Sequence, residues 1–80
     1  MEIKILGMGC PKCKRLEEVA REAVAEAGVE AEFTKVTRIG EIMNYDIMST
    51  PGLVINGKVV SSGRIPSKAE IVAWIRQEGT

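Results

Sequence analysis

Two cysteines stand three positions apart as Cys10-Pro11-Lys12-Cys13, and they are the only ones in the chain. Thiols at that spacing can close into a disulfide across one helical turn and reopen, so these residues point to thiol–disulfide exchange. The upstream cysteine falls at the start of a helical pattern, where unpaired backbone N–H groups and the helix dipole favour a thiolate. Cys10 is therefore the candidate nucleophile and Cys13 the candidate resolving thiol. Lys12 lies inside the loop and adds attraction for a thiolate, while Lys14 and Arg15 read as surface charges.

Elements that could position such a pair are written on either side of it. Ile3, Ile5 and Leu6 end at Gly7 and predict a short buried strand over residues 2–6. From Pro11 to Ala27 the residues Leu16, Val19, Ala20, Ala23, Val24 and Ala27 recur at three and four, the spacing of one helix face. Pro11 suits the first helical position and Gly28 the stop. On the opposite face Lys14 with Glu18 and Glu17 with Arg21 lie four apart, and with Arg15, Glu22 and Glu26 they read as an ordinary solvated surface without functional weight.

Further along, Val29–Val36 reads as a second strand, with Val29, Ala31, Phe33 and Lys35 alternating with a polar set. Thr37 is expected to cap a short helix carrying Ile39, Ile42 and Met43 and ending near Asp46. Leu53-Val54-Ile55 and Lys58-Val59-Val60 flank Asn56-Gly57, a strong signal for a two-residue hairpin. Ser61-Ser62-Gly63 reads as a turn. Ser67 with Glu70 forms a capping box for a last helix built on Ile71, Val72, Trp74 and Ile75, with Trp74 expected in core packing. The order β-α-β-α-β-β-α predicts a parallel pair joined by a crossover helix, extended by an antiparallel hairpin. A four-stranded mixed sheet with helices on both faces follows.

At 80 residues the chain is expected to be a single domain over 1–80. Eleven basic residues balance eleven acidic ones without a block of either sign, which argues against nucleic acid or an anionic membrane as partner. No apolar stretch approaches the ~20 residues that span a bilayer, and the first residues begin a strand pattern rather than a signal peptide. A cytoplasmic location is expected. In that compartment a cysteine pair is more often catalytic or metal-binding than a permanent staple.

Three features in this order resemble the thioredoxin fold: Cys10-Pro11-Lys12-Cys13 after the first strand, Thr50-Pro51 opening the third, and Gly63 beyond the hairpin. The chain is most similar to small thioredoxin-like proteins, often labelled redox-active disulfide proteins, and the resemblance covers essentially its whole length. It implies that Pro51 is a cis proline beside the active-site disulfide and that the backbone of Thr50 pairs with an extended substrate segment. It implies too that Gly63 keeps the adjoining surface open. The activity implied is reduction of protein disulfides through Cys10 and Cys13 by a monomer without a cofactor, recharged by a flavin-dependent thioredoxin reductase. The chain departs from typical thioredoxins in having Met8-Gly9 before Cys10 and no buried strand acid, since Glu2 lies too near the terminus. Proton transfer at Cys13 is therefore expected to use water. Lys12 and Arg64 stand where typical glutaredoxins carry a tyrosine and an acid, which favours a protein reductant over glutathione.

A second resemblance belongs to another class. Gly7-Met8-Gly9-Cys10-Pro11-Lys12-Cys13 is similar to the Gly-Met-x-Cys-x-x-Cys loop of small copper-carrying metallochaperone domains, in which two thiolates hold Cu(I). That reading requires a hairpin of the second and third strands and a closing strand after the second helix. A structural zinc site is disfavoured, because two cysteines and no histidine cannot supply four ligands within one chain.

Overall fold

The computed structural model describes residues 1–45, 47 and 49–78. In chain order the elements are β1 (Glu2–Leu6), α1 (Pro11–Ala27), β2 (Glu32–Val36), α2 (Ile39–Ile42), β3 (Gly52–Ile55), β4 (Lys58–Ser62) and α3 (Lys68–Glu78). They build one four-stranded sheet in the order β2-β1-β3-β4, with β1 parallel to β2 and the other two pairings antiparallel.

Alternation along the strands divides the core between the two faces of the sheet. Ile3 and Ile5 of β1 with Leu53 and Ile55 of β3 meet Leu16, Val19, Ala20 and Ala23 of α1 and Ile71, Val72 and Ile75 of α3. On the other face Leu6, Val36 and Val54 meet Ile42, backed by Tyr45, Ile47 and Val59. Ile3, Leu6, Leu16, Leu53, Ile55, Ile71 and Ile75 are fully buried, and each such side chain contributes about 1.5–3 kcal/mol. One face is thus covered by two long helices and the other by a single short turn.

The helix ends follow from local chemistry. Gly28 closes α1 at φ 71°, donating its N–H to the carbonyls of Val24 and Ala25. Ser67 Oγ accepts from the Glu70 N–H at 3.2 Å while Glu70 Oε1 accepts from the Ser67 N–H at 3.4 Å, so the capping box forms. Arg64 adds a 2.8 Å bond to the same carboxylate and holds it below the usual carboxylate range. The hairpin turn has φ 50° at Asn56 and 81° at Gly57, the pair of positive values that the Asn-Gly sequence favours. Asn56 Oδ1 also accepts from the Glu2 N–H at 2.9 Å, tying the hairpin tip to the start of β1.

Three local expectations are corrected. The second strand begins at Glu32 rather than Val29, because its register pairs Glu32 with Glu2 and leaves β1 no residues to pair with 29–31. Arg38, not Thr37, occupies the N-cap of α2, with its carbonyl accepting from Glu41 and Ile42 and no side-chain cap. Ser61 and Ser62 belong to β4 rather than to a turn: they pair with Leu53 and Gly52 across a bulge that makes Val60 the extra residue. Only Ile42 of the short helix is buried, while Ile39 and Met43 are exposed. Asp46, the expected end of that helix, lies outside the described residues. Trp74 is half-buried against the α1–α3 face, in packing as expected.

Candidate active site

Topology brings four chain segments to one edge of the sheet. Leu6 is the last residue of β1 and pairs with Val36, the last of the parallel strand β2, and with Gly52, the first of antiparallel β3. Gly52 in turn pairs with Ser62 near the end of β4. The Gly7–Cys10 loop, Thr37, Pro51 and Gly63 consequently emerge side by side.

Cys10 is the N-cap of α1, in extended backbone conformation at φ −69° and ψ 164°. Pro11 follows at the first helical position, where its missing N–H removes no helix bond. The Cys10 sulfur accepts the Cys13 N–H at 3.3 Å, so a thiol fills the role that Ser or Asp oxygen fills at other helix starts. Hydrogen bonding from the Cys13 thiol, and next from the Cys13 amide, holds Cys10 below the ordinary thiol value, with the Lys12 and Cys10 amides assisting. Lys12 itself is exposed and enters this set through its backbone N–H. Cys13 moves the other way: burial raises it first, and its side-chain hydrogen bond to Cys10 adds to the rise. Cys13 is 5% exposed, Cys10 half-buried.

Two thiols three residues apart thus have opposite character. Iodoacetamide at neutral pH is expected to label Cys10 about tenfold or more faster than Cys13, since Cys10 is both the more exposed and the more readily ionised thiol. The half-maximal rate for Cys10 should fall at a pH below that of a free cysteine, because the lowered group ionises first. Mass mapping after brief exposure checks this, and faster labelling of Cys13 would reverse the assignment.

The seat of Cys13 depends on Gly7, which the sequence presents as the end of a strand and as the first residue of the copper-loop resemblance. A Cβ at Gly7 would collide with Cys13 Sγ, so the thiol occupies the space that a side chain would take. Gly7 cannot readily retreat, because its N–H is bonded to the Val36 carbonyl at 3.0 Å. Behind the thiol is a cavity of about 60 Å³ lined by Ile5, Gly7, Gly9, Cys13, Lys14, Glu17, Lys35 and Thr37. Glu17 was expected on the solvated face. Instead its side chain is 16% exposed, held by Lys35 at 3.1 Å and Arg21 at 2.9 Å.

On the other side of the loop, the Thr50–Pro51 peptide is cis and Pro51 is fully buried. The Pro51 carbonyl accepts from the Gly63 N–H at 2.9 Å, which couples the residues at the two ends of the β3–β4 hairpin. Gly63 has φ 74°, and a Cβ there would strike Ser49 Oγ. Thr50 is exposed, and its backbone N–H and C=O have no partner among the described residues. A shallow apolar groove beside it is formed by Met8, Ile39, Met43 and Ile47. All of the residues singled out from sequence, Pro11, Lys12, Thr50, Pro51 and Gly63 with the two cysteines, therefore occupy this edge or the helix start beside it.

The copper-carrier resemblance is not supported. It requires the second and third strands to form a hairpin, whereas α2 separates β2 from β3 and these two strands do not pair. No helix among the described residues is long and apolar enough to cross a membrane.

Comparison with known proteins agrees with this architecture. Residues 1–76 match the family model described as Thioredoxin domain. A thioredoxin of Methanothermobacter thermautotrophicus is 44% identical over 71 residues, covering 89% of this chain and 92% of the relative. A thioredoxin of Methanocaldococcus jannaschii is 44% identical over 69 residues, covering 86% of this chain and 79% of the relative. With the cysteine pair at the helix start, the mixed sheet and a match over nearly the whole length, the chain belongs to the thioredoxin family.

Proposed function

We propose that this protein is a thiol–disulfide oxidoreductase that reduces protein disulfides through Cys10 and Cys13. The observation that carries the reading is the opposed environment of the two thiols. One caps a helix, accepts hydrogen bonds and ionises easily; the other is buried and stays protonated. The Cys10 thiolate attacks one sulfur of a substrate disulfide, the S–S bond breaks, and the other sulfur leaves as a thiolate. Cys13 loses its proton and attacks Cys10 Sγ. The second substrate thiolate is released and a Cys10–Cys13 disulfide remains, so two electrons have passed to the substrate.

The remaining residues have positioning roles in this reading. The unpaired backbone of Thr50 accepts an extended substrate segment by strand-like pairing, which gives little side-chain selectivity. Pro51 and Gly63 hold that edge in shape through their shared hydrogen bond, and Pro11 and Lys12 present the Cys10 amide loop. The protein acts as a monomeric single domain over residues 1–80, without a resident cofactor, in a reducing cytoplasm. A flavin-dependent thioredoxin reductase returns the disulfide to the dithiol form.

Insulin precipitation in the presence of dithiothreitol tests the activity. The protein is expected to shorten the lag severalfold at micromolar concentration, and a lag equal to that of dithiothreitol alone would refute the reading. Replacing dithiothreitol with NADPH and a flavin-dependent thioredoxin reductase tests the donor separately.

A further inference from the structure

Strand-like pairing at Thr50 gives little side-chain selectivity, so a choice among disulfides has to come from the surface around Cys10. Charges there are unevenly neutralised. Arg15 bonds Glu18 at 3.2 Å, and Arg64, just past Gly63, bonds Glu70 at 2.8 Å. Among the described residues Lys12, Lys14, Arg38 and Arg76 are the basic side chains with no carboxylate partner. The first three surround the site. Lys12 stands between the two cysteines, and Lys14 shares the cavity wall behind Cys13 with Gly9 and Thr37. Arg38 comes between Thr37 and Ile39, and Ile39 shares the apolar groove with Met8 and Thr50. Gly9 thus meets one neighbour of Arg38 and Met8 the other, so Arg38 flanks the loop leading into Cys10. Lys12, Lys14 and Arg38 are all exposed.

Carboxylates without an ion-pair partner stand elsewhere. Glu30 and Glu32 lie beside Met1 at the opposite end of the sheet, and Glu22 is in the second half of α1. Glu41 lines a separate cavity with Lys4, Lys35 and Tyr45 on the α2 side. The chain has no net charge, so the positive rim is an arrangement of charge rather than an excess. Hydrogen bonds from Cys13 and from backbone amides are what hold the Cys10 thiol low, which leaves the three cations available to a partner. We propose that this rim selects protein disulfides set among aspartate and glutamate residues, with Lys12, Lys14 and Arg38 meeting the acidic side chains while Thr50 pairs with the backbone. The inference rests on the protein being a disulfide reductase and names the substrate class of that site. Rim charges act mainly on the rate of encounter, and that effect is screened by salt.

Two synthetic peptides test the selection, each with one internal disulfide and identical except for aspartate or lysine on both sides of one half-cystine. The reduced protein, with the reaction quenched by acid and followed by chromatography, should reduce the aspartate peptide about tenfold faster at about 20 mM salt, the lower end of electrostatic steering. In 1 M NaCl, where the screening length is about 3 Å, the aspartate peptide should slow and the lysine peptide should speed up. Intrinsic reactivities of the peptides cancel when the ratio of their rates is compared between variants. Lys14→Glu combined with Arg38→Glu should lower that ratio about tenfold or more, and Lys12→Glu should lower it severalfold. Arg76→Glu changes the net charge as much as Lys12→Glu does, but in the last turn of α3, where Glu78 bonds Lys58 at the end of the sheet remote from Cys10. It should leave the ratio within about twofold, as a distant charge is screened. A wild-type ratio insensitive to salt, or a shift in Arg76→Glu equal to that in Lys12→Glu, would overturn the role of the rim. Reduction of neither peptide would instead overturn the oxidoreductase reading, and the inference with it.

Discussion

Cys10→Ser is expected to bring protein-disulfide reduction down to the rate of the dithiol donor alone, a loss of roughly 10³-fold or more, because a hydroxyl stays protonated where a thiol of lowered pKa ionises more readily and is the stronger nucleophile. Cys13→Ser should fail differently. Its Cys10 can still attack, but no second thiol is present to release the product, so a mixed disulfide to Cys10 accumulates. A non-reducing gel against a disulfide-containing protein, followed by mass mapping of the trapped cysteine, distinguishes the variants. Trapping in comparable amounts by Cys10→Ser would be incompatible with the two-step scheme. The asymmetry follows from burial: Cys13, 5% exposed, is poorly placed to meet a protein substrate when Cys10 is removed.

Gly7→Ala should damage both stability and the second step, although the residue carries no chemistry of its own. The added methyl would occupy the place of Cys13 Sγ, and with the Gly7 N–H bonded to Val36 the thiol or the first turn of α1 has to move. Overpacking of this kind costs about 1–3 kcal/mol. For a domain of this length each kcal/mol lowers Tm by roughly 4–8 °C, so thermal unfolding gives a direct reading. Displacement of the sulfur should also slow the second, Cys13-dependent step while the attack by Cys10 persists. Gly9→Ala provides the control: at φ 84° an alanine is strained there, but the new Cβ meets nothing within 4 Å. It should lower stability and leave the second step in place. Equal kinetic effects of the two substitutions would show that loop strain, rather than contact with Cys13, governs the step.

Features that depend on neighbours in sequence were legible without coordinates. Pro11 at the first turn and Gly28 at the stop delimit α1, Asn56-Gly57 makes the hairpin, and Ser67 with Glu70 caps α3, because each is settled by residues within about one turn of one another. The elements misjudged were those whose limits are set by a distant partner. The start of β2 depends on where β1 begins, and Ser61 and Ser62 join β4 because Leu53 and Gly52 require partners across the bulge. Neither constraint is local, so neither leaves a periodic trace.

The same division holds at the site. The sequence alone determined that two thiols would share the first turn of α1, with the upstream one favoured as thiolate; spacing and helix-end electrostatics suffice for that. Only the tertiary structure decided that Gly7 supplies the space for Cys13 and that Pro51 and Gly63 share a hydrogen bond. It also decided that Glu17, an ordinary surface acid by its helical pattern, closes a cavity with Lys35 behind the buried thiol. These outcomes follow from strand pairing, which aligns the ends of β1 and β2 with the start of β3 and the end of β4. Residues tens of positions apart become neighbours through that register, whereas helical periodicity reports only which face a residue occupies and not what the sheet brings against it.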